Sequence, residues 1–451
     1  MAANEKPFGL WSAVFLGIGS MVGAGIFVLL GEAGAIAGNL VWISFLFGGV
    51  IALLSGYSLA KLATAYPSRG GIVEYLVQCY NEGVFSGSVS VLFYLSAMVA
   101  IAMVAKTFGT YAAMMTIGEQ SLLFVNSFAV GVLLLFMLIN LAGSTVLAKS
   151  ENIIVIIKLS IIVLFTAAAM FYIKPELLSP KDAPPILNIF SSIALTFFAY
   201  EGFRVITNTA EDMEDPGKLM LKAMVVAIGL VMILYVAVTF AVFGNLPLDE
   251  IIKAKDYALA EAAKPAFGET GFVIMSIAAL ISTASSINAN LYAVTNVTYQ
   301  MAINGELPRV YQRNVWHSTQ GLVVSTMIMI LFVLFLNLTQ IAAIGSISIL
   351  FIHALVHIGH LLKIEETKAS KFLIILAILG SAAAIILALQ YTSRHIPSVG
   401  YYIAGGFVLA FIIEILLRMT TKRVVHKQTE RGILKKIEAK LEDEILKIKK
   451  R

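Results

Sequence analysis

Charge and cysteine are both scarce in this chain of 451 residues. Charged residues make up 13% of the sequence, against about 25% in soluble domains. The single cysteine, Cys79, excludes an internal disulfide and therefore a disulfide-stabilised secreted scaffold. Hydrophobic residues make up 59%, and a soluble protein would have to expose much of that apolar surface to water. The composition thus excludes a soluble enzyme and a disordered protein, and it indicates that lipid surrounds most of the chain.

The net positive charge of the chain is confined to its C-terminal end. Segment 421–451 carries 11 Lys/Arg and 5 Asp/Glu, whereas residues 1–420 are close to neutral. The body therefore offers no support for nucleic-acid binding, while a basic tail beside a membrane suits an anionic cytoplasmic leaflet. We expect a membrane domain over 1–420 and a basic cytoplasmic tail over 421–451. Apolar residues at helical spacing predict that the tail is an amphipathic helix, lying on the membrane surface or binding a partner.

Apolar runs divided by short polar or Pro/Gly breaks predict twelve transmembrane helices, which we call spans 1 to 12. Their rough bounds are 9–31, 38–64, 84–116, 121–143, 150–173, 186–212, 219–244, 266–303, 320–338, 341–362, 371–391 and 398–420. An even number of spans places both termini on one side. If that side is inner, inner segments before the tail hold 11 Lys/Arg and outer loops hold 6. The positive-inside rule therefore predicts cytoplasmic termini in a multi-pass protein of the cell membrane.

Span 1 contains a cluster of glycines between Gly17 and Gly25. Four glycines in nine residues each weaken a helix by about 1 kcal/mol relative to alanine. Gly19 and Gly23 alone would also suit close helix packing. The whole cluster favours an unwound backbone, whose N–H groups can hold a carboxylate and whose carbonyls can hold an ammonium group or a cation. The predicted substrate-binding residues here are Gly19, Ser20, Met21, Val22, Gly23, Ala24 and Gly25.

Span 6 is interrupted by Glu201, Gly202 and Arg204 within an apolar run. The two charged residues could pair and serve only packing, or they could be functional, as intramembrane ionisable groups usually are. Interrupted helices five spans apart point to a transporter built from inverted repeats, with its site near the bilayer midplane. The predicted substrate-binding residues of this span are Phe198, Tyr200, Glu201 and Phe203.

Lys158 lies inside span 5, about ten residues or roughly 15 Å from the predicted helix start. Its stem is too short to reach the interface, so the ammonium must find partners in the bundle or lose its proton. Lys158 could therefore titrate during function, or it could be a structural ammonium that keeps its charge permanently. In span 8, Ser282, Ser285 and Ser286 share one helical face, which suits either interhelical packing or a cation site.

Further ionisable groups lie in spans 10 and 3. His353, His357 and His360 recur at helical spacing in span 10, which could hold a metal or haem in a membrane redox protein. No cysteine or acidic cluster completes such a site, so we expect no metal and no cofactor, and we interpret the histidines as caps of the helix end.

Lys106 lies near the outer end of span 3, where we expect its ammonium to reach the interface. The sequence also has no P-loop, zinc-protease motif or nucleophile elbow, so we expect no enzyme.

Several segments resemble the amino acid–polyamine–organocation superfamily of secondary transporters. The run from Gly19 to Phe27 is similar to its first-span signature, the segment 66–71 with Tyr75 resembles its segment after span 2, and 301–308 resembles its loop after span 8. The likeness covers roughly residues 8–420 and is closest to archaeal proton-coupled transporters of broad amino acid specificity. It implies an all-α polytopic fold of five plus five inverted helices with two peripheral ones, alternating access, and an α-amino acid substrate.

The resemblance also implies roles for backbone groups in the two interrupted spans. Ala24 and Gly25 would offer N–H groups to the substrate carboxylate, and the carbonyls of Met21, Phe198 and Glu201 would face its ammonium. Relatives carry a tryptophan near the second interruption that this chain lacks. No acidic residue apart from Glu201 evidently serves a cationic side chain, so we expect neutral, apolar amino acids as substrates.

In sodium-coupled relatives, the serine face of span 8 and carbonyls of span 1 surround a sodium ion, whereas in proton-coupled ones a lysine resembling Lys158 takes that place. We therefore expect Lys158, and secondarily Glu201, to couple protons to amino acid import. A sodium-coupled transporter or an amino acid exchanger of the same fold is the first alternative. A membrane redox protein that uses the span 10 histidines is the second.

Overall fold

The computed structural model describes residues 9–68, 70–143, 145–180, 184–304 and 307–421. Most of them are helical, because a backbone in lipid must satisfy its own hydrogen bonds. The α-helices are α1 Leu10–Met21, α2 Ala24–Phe27, α3 Leu29–Ala37, α4 Val41–Ala65, α5 Ile72–Tyr80, α6 Val84–Thr116, α7 Leu122–Ala142, α8 Thr145–Ala169, α9 Ile186–Ser191, α10 Ile193–Tyr200, α11 Pro216–Phe243, α12 Leu248–Lys253, α13 Ala258–Glu261, α14 Lys264–Asn304, α15 Gln320–Phe335, α16 Leu338–Leu361, α17 Ile364–Thr367, α18 Lys371–His395 and α19 Pro397–Thr421.

Shorter elements join these helices. Strands β1 Asn314–Val315 and β2 Ser318–Thr319 pair antiparallel in a small hairpin. The 3₁₀ segments are Gly38–Leu40, Met170–Tyr172, Pro175–Leu178, Glu201–Thr209 and Arg309–Gln312. The helix predicted for the basic tail lies outside the described residues.

Long apolar helices dominate the described part of the chain, where eleven helical segments are long and apolar enough to cross a membrane. At the position predicted for span 9, α15 is a shorter apolar helix of 16 residues. The protein is therefore a polytopic helical membrane protein. The count of twelve spans and the five-plus-five repeat stay predictions.

The distribution of side chains is the inverse of that in a soluble protein. Leu164 of α8, Ile233 of α11 and Leu379 of α18 are 68%, 67% and 60% exposed on the outside of the bundle. By contrast, Lys158 and Glu201 are buried inside it. Hydrocarbon tolerates the first arrangement at no cost, whereas buried charge requires partners. The interior is therefore where a functional site is to be sought.

The packing of the helices brings the two interrupted spans together. α1 packs against α11 and against the 3₁₀ segment Glu201–Thr209, while α2 packs against α10 and α14. α4 lies beside α10 and α11, and α16 lies beside α6 and α10. Spans 1 and 6 thus meet in the interior, with α8 and α14 on one side of span 1 and α16 on one side of span 6.

Candidate substrate and coupling site

Span 1 is interrupted within its glycine cluster. α1 ends at Met21, and a turn at Val22 and Gly23 leads into the four-residue α2. Val22 leaves the helical region with φ −81° and ψ 77°. The N–H of Gly23 turns back to the Met21 carbonyl at 2.9 Å. The last carbonyls of α1 therefore need other partners, since a helix end leaves such groups unpaired.

Lys158 and Ser282 supply two of these partners. Lys158 Nζ donates to the Gly19 carbonyl at 2.7 Å, and Ser282 Oγ donates to the Val22 carbonyl at 3.1 Å. Lys158 is completely buried. Its ammonium lies at the carbonyl end of α1, where the helix dipole favours positive charge. The arrangement links α8 and α14 to the interruption in span 1.

The other two serines of span 8 lie nearby on α14. Ser285 and Ser286 are both buried. A Cβ placed on Gly23 would lie 3.0 Å from Ser286 Oγ, so the two helices are in close contact there. Asn290 Nδ2 also donates to Ser286 Oγ at 3.2 Å. The serine face predicted from the sequence therefore does face the turn in span 1.

Tyr235 of α11 is a third contact that sequence reasoning missed. Its hydroxyl donates to the Met21 carbonyl at 2.7 Å and lies 3.3 Å from the Ala199 carbonyl. The first bond uses a carbonyl that was expected to face the substrate ammonium. A single tyrosine within a long apolar run carries no signal that distinguishes it from a packing residue. Here it connects the interrupted parts of spans 1 and 6.

Span 6 changes from α-helix to 3₁₀ helix at the place predicted for its interruption. α10 ends at Tyr200, and the chain continues as a 3₁₀ helix from Glu201. A Cβ on Gly202 would lie 2.4 Å from the Met21 nitrogen, and one on Gly25 would lie 2.6 Å from the Ala199 carbonyl oxygen. Only glycine permits such contacts. The two interrupted backbones therefore touch each other directly at two points.

The three predicted aromatic residues of span 6 point in different directions. Phe198 packs over Gly345 of α16, where a Cβ would lie 2.8 Å from the ring. Tyr200 donates to the Phe45 carbonyl of α4 at 2.9 Å. Phe203 packs edge-on against His353, with ring centroids 5.7 Å apart. The structure thus places them around the interruption without gathering them on one surface.

Glu201 has two basic neighbours. Its Oε1 lies 2.8 Å from Arg204 Nε, and its Oε2 lies 3.0 Å from His353 Nε2. In neither contact is the N–H directed at the oxygen well enough for a hydrogen bond. The pairing with Arg204 was one of the two interpretations drawn from the sequence. The contact with His353 was not foreseen, and it keeps a functional interpretation open.

The three histidines of α16 do not cap the helix end, so that interpretation is wrong. All three are buried and face α4. Ser55 lies between His353 and His357, and Ser58 lies between His357 and His360, at distances of 2.7–2.9 Å. Both ring nitrogens of His357 are engaged, which argues against a metal site. No group of three His, Cys, Asp or Glu side chains with metal-site geometry occurs in the part of the chain that the structure describes.

A second polar cluster joins α3 to α16 and to the loop between α12 and α13. Lys255 Nζ lies 3.2 Å from Glu32 Oε1 and donates to Thr339 Oγ1 at 2.6 Å, and Thr339 Oγ1 donates to Glu32 Oε1 at 2.8 Å. Burial, and then the nearby Glu32 carboxylate, raise the pKa of Asp256 to about 7. We call Glu32, Lys255, Asp256 and Thr339 the α3 latch. A cavity of about 30 Å³ lies beside it, large enough for about one water molecule.

Lys106 lies close to the same region. Its ammonium contacts the Leu336 carbonyl, and the residue is 3% exposed. The prediction that it reaches the interface is therefore wrong. A backbone carbonyl left free beyond the end of α15 provides a nearer partner than the interface.

Comparison with known proteins gives a consistent picture. The profile of a family described as amino acid permease matches residues 8–413. An uncharacterised protein of Methanocaldococcus jannaschii is 35% identical, covering 94% of this chain and 98% of its own. The inner membrane transport protein YbaT of Escherichia coli is 34% identical, covering 92% and 97%. The serine/threonine exchanger SteT of Bacillus subtilis is 26% identical, covering 67% and 70%. The chain therefore belongs to the amino acid permease family of the amino acid–polyamine–organocation superfamily, and it is a membrane transporter rather than an enzyme.

Proposed function

We propose that this protein imports amino acids across the cytoplasmic membrane by alternating access and that protons drive the import. The fold in this proposal has twelve spans, of which the first ten form two inverted repeats and the last two are peripheral. Both termini lie in the cytoplasm. The substrates are neutral amino acids of several kinds.

The contact between Lys158 and Gly19 carries this proposal. A charged ammonium forms a stronger hydrogen bond with a carbonyl than a neutral amine does. Protonated Lys158 therefore holds α8 firmly against α1, while its neutral form releases part of that restraint. A bond whose strength depends on one proton can bias a bundle between two access states. Proton movement and substrate movement are thereby linked.

The proposal favours protons over sodium for a reason of geometry. The Gly19 and Val22 carbonyls, which would coordinate a sodium ion, accept hydrogen bonds from Lys158 and Ser282. A sodium ion bound to the same carbonyls would lie next to the Lys158 ammonium, and the two positive charges would repel each other. Lys158 thus takes the place of the ion among the carbonyls and the serine hydroxyls.

The substrate is placed at the meeting point of spans 1 and 6. Backbone N–H groups at Ala24 and Gly25 hold its carboxylate in this proposal, and backbone carbonyls near the interruptions, among them that of Phe198, hold its ammonium. The carboxylate of Glu201 already contacts Arg204 and His353, so it is poorly placed to receive a cationic side chain. That arrangement supports neutral substrates. Glu201 itself acts as a second proton group that tunes gating.

Exchange of one amino acid for another is the competing function. The relative from Bacillus subtilis is named a serine/threonine exchanger. An exchanger of this fold would need substrate on both sides of the membrane, whereas a proton-coupled importer would not.

A binding screen tests the substrate assignment. Purified protein is mixed with each of the twenty amino acids, and binding is measured by displacement of a radiolabelled neutral amino acid. We expect several neutral amino acids to compete, and lysine, arginine, aspartate and glutamate to compete at least about tenfold less well. Preferential binding of a charged amino acid, or binding of none of the twenty, would contradict the proposed substrate class.

A further inference from the structure

A row of polar side chains leads away from the interruption in span 6. It begins at Glu201, alternates between α16 and α4, and ends on α17. Its members in order are Glu201, His353, Ser55, His357, Ser58, His360 and Thr367. We call it the histidine row. The distances between neighbours are 3.0, 2.7, 2.9, 2.9, 2.8 and 2.9 Å.

Every member of the row can pass a proton. Each imidazole has two nitrogens, of which one donates and the other accepts, and each hydroxyl both donates and accepts. All seven residues are less than one tenth exposed. Phe197 and Phe203 both pack edge-on against the His353 ring, with centroid distances of 5.3 and 5.7 Å, and also against each other at 6.3 Å. Apolar packing of this kind shields the row from competing hydrogen-bond partners.

The direction of the hydrogen bonds can be followed from the far end. Thr367 Oγ1 lies 2.9 Å from the Lys363 carbonyl and donates to it, so it accepts from His360 Nε2. His360 Nδ1 then accepts from Ser58, which accepts from His357 Nδ1. Continued through Ser55, this order leaves the proton of the first histidine on Nδ1. Its Nε2 then faces Glu201 without a proton, so one further proton must lie between them, on either the carboxylate or the ring.

The opposite direction also satisfies every link of the row with one proton fewer, although Thr367 then no longer donates to the Lys363 carbonyl. If Thr367 donates to His360 Nε2, each bond reverses, and His353 Nε2–H faces an ionised Glu201. The two arrangements differ by one proton, which Glu201 gives up at one end while Thr367 takes a proton from His360 Nε2 and releases its own hydroxyl proton to the cytoplasmic side. In that movement each histidine gains a proton on one nitrogen and loses one from the other, and each hydroxyl exchanges its hydrogen. Apart from Glu201, which is left ionised, no group along the row keeps a net charge.

We propose that the histidine row is the path by which a proton leaves Glu201 for the cytoplasm. The inference rests on the proposed proton-coupled import. The end of α16 that bears His360 is the cytoplasmic end in the proposed topology. Once the link between Glu201 and His353 is made, a proton that arrives with the substrate at span 6 has a route out that does not pass through the substrate.

Charged groups lie at the two ends of the row. Arg204 Nε lies 2.8 Å from Glu201 Oε1, so a positive charge faces the carboxylate at which the row begins. At the other end, Lys61 of α4 interacts electrostatically with His360, and the Lys363–Glu366 pair lies at the exit with a separation of 2.7 Å. Glu366 is 52% exposed and offers a proton acceptor beyond the end of the row.

The contact between Glu201 and His353 determines whether a proton can enter the histidine row. Glu201 and His353 are at contact distance, but the N–H is not aligned for a hydrogen bond. The links beyond it are at hydrogen-bond distance. A small rotation of the Glu201 side chain would complete the row. Because Glu201 begins the 3₁₀ part of span 6, rearrangement of that segment around substrate would connect or disconnect the path.

Replacement of His357 by glutamine tests the path. The amide can bridge Ser55 and Ser58 through its oxygen and nitrogen, but it cannot take up and release a proton as imidazole does. The variant, Ser55→Ala and wild type are reconstituted in liposomes that contain a pH-sensitive dye, and proton entry is measured together with uptake of a radiolabelled neutral amino acid. We expect both variants to lose at least about tenfold in substrate-dependent proton entry, with a smaller loss in counterflow of labelled for unlabelled substrate. Ser55→Ala provides a second break in the row if the first variant does not fold.

His395→Gln is the matched control, because His395 is exposed and, among the described residues, its hydrogen bond and its ring contact are both with Tyr391. We expect it to behave as wild type. Unchanged substrate-dependent proton entry in both row variants, with wild type active, would overturn the path alone. A wild type that takes up substrate without any proton entry would overturn the proposed proton coupling and the path with it.

Discussion

Individual glycines determine how closely spans 1 and 6 approach each other. Gly25 and Gly202 each lie where a Cβ would overlap backbone atoms of the other span. The overlap cannot be relieved by rotation of a side chain, because the contacted atoms belong to the main chain. These glycines therefore fix the geometry of the backbone groups that we assign to the substrate.

Gly25→Ala should weaken substrate binding. The new Cβ would lie 2.6 Å from the Ala199 oxygen, so the two interrupted segments must separate by several tenths of an ångström. We expect Kd for the preferred amino acid to rise at least about tenfold, or about 1.4 kcal/mol. Gly229→Ala on α11 is the control, since a Cβ there meets nothing within 4 Å. Equal affinities in the two variants would remove the interruption in span 1 from the substrate site.

The sequence was informative where a residue conflicts with its surroundings. Lys158 and Glu201 could be identified because charge is rare inside apolar runs, and the Gly19–Gly25 cluster because glycine is unfavourable in helices. Tyr235 could not, because tyrosine is common in apolar helices and its role depends on which carbonyls it reaches. The role of Ser55 likewise depends on its contacts with the histidines of α16. Those contacts depend on how α4 packs against α16, and the sequence of neither helix alone predicts that packing.

Among elements, α3 is notable for the polar contacts that hold its position. A Cβ on Gly31 would lie 1.9 Å from the Lys255 carbonyl oxygen, so α3 and the loop before α13 are in direct backbone contact. Glu32 adds its contacts with Lys255 and Thr339. The α3 latch therefore joins the far half of span 1 to α16, and its opening would be required if this half of span 1 moves during transport.

Stability of the α3 latch should depend on pH through Asp256. Its pKa rises from 3.8 to about 7 in the folded protein, so the folded state holds this proton more tightly than the unfolded chain does. The associated stabilisation is complete below pH 3.8 and is lost as the pH rises through about 7. Glu32, Lys255 and Lys106 are the charged groups that act on it.

We therefore expect Tm of the purified protein to fall between about pH 5 and pH 8, and Asp256→Asn to reduce that fall by on the order of a few degrees. Asp249→Asn is the control, since that side chain is 73% exposed. The expectation fails if wild type and Asp256→Asn show the same dependence of Tm on pH.

Helix boundaries were predicted better than the division of the spans into shorter helical pieces. The bounds of α6, α7 and α16 lie within three residues of those predicted for spans 3, 4 and 10, because long apolar runs end at clear polar breaks. The short α5 and the division of span 1 into three helical pieces depend on contacts with other helices. Periodicity along the chain does not record those contacts.

At the scale of the whole molecule, orientation in the membrane stays a prediction from loop charge. Lys218 and Lys253 are a matched pair for its test, because their side chains are 80% and 79% exposed. With Cys79 replaced by serine, Lys253→Cys should react with a membrane-impermeant maleimide in intact cells, and Lys218→Cys should react only after the membrane is opened. The reverse pattern would place both termini outside.

The central claim is that the proton on Lys158 couples transport, and one measurement tests it most directly. Wild type, Lys158→Ala and the exposed control Lys253→Ala are reconstituted in liposomes without sodium, and accumulation of a neutral amino acid is followed under an inward proton gradient. We predict that wild type and the control concentrate the amino acid, and that Lys158→Ala loses accumulation by about tenfold or more. A Lys158→Ala protein that still concentrates substrate under the pH gradient, or a wild type that requires sodium, would contradict the account.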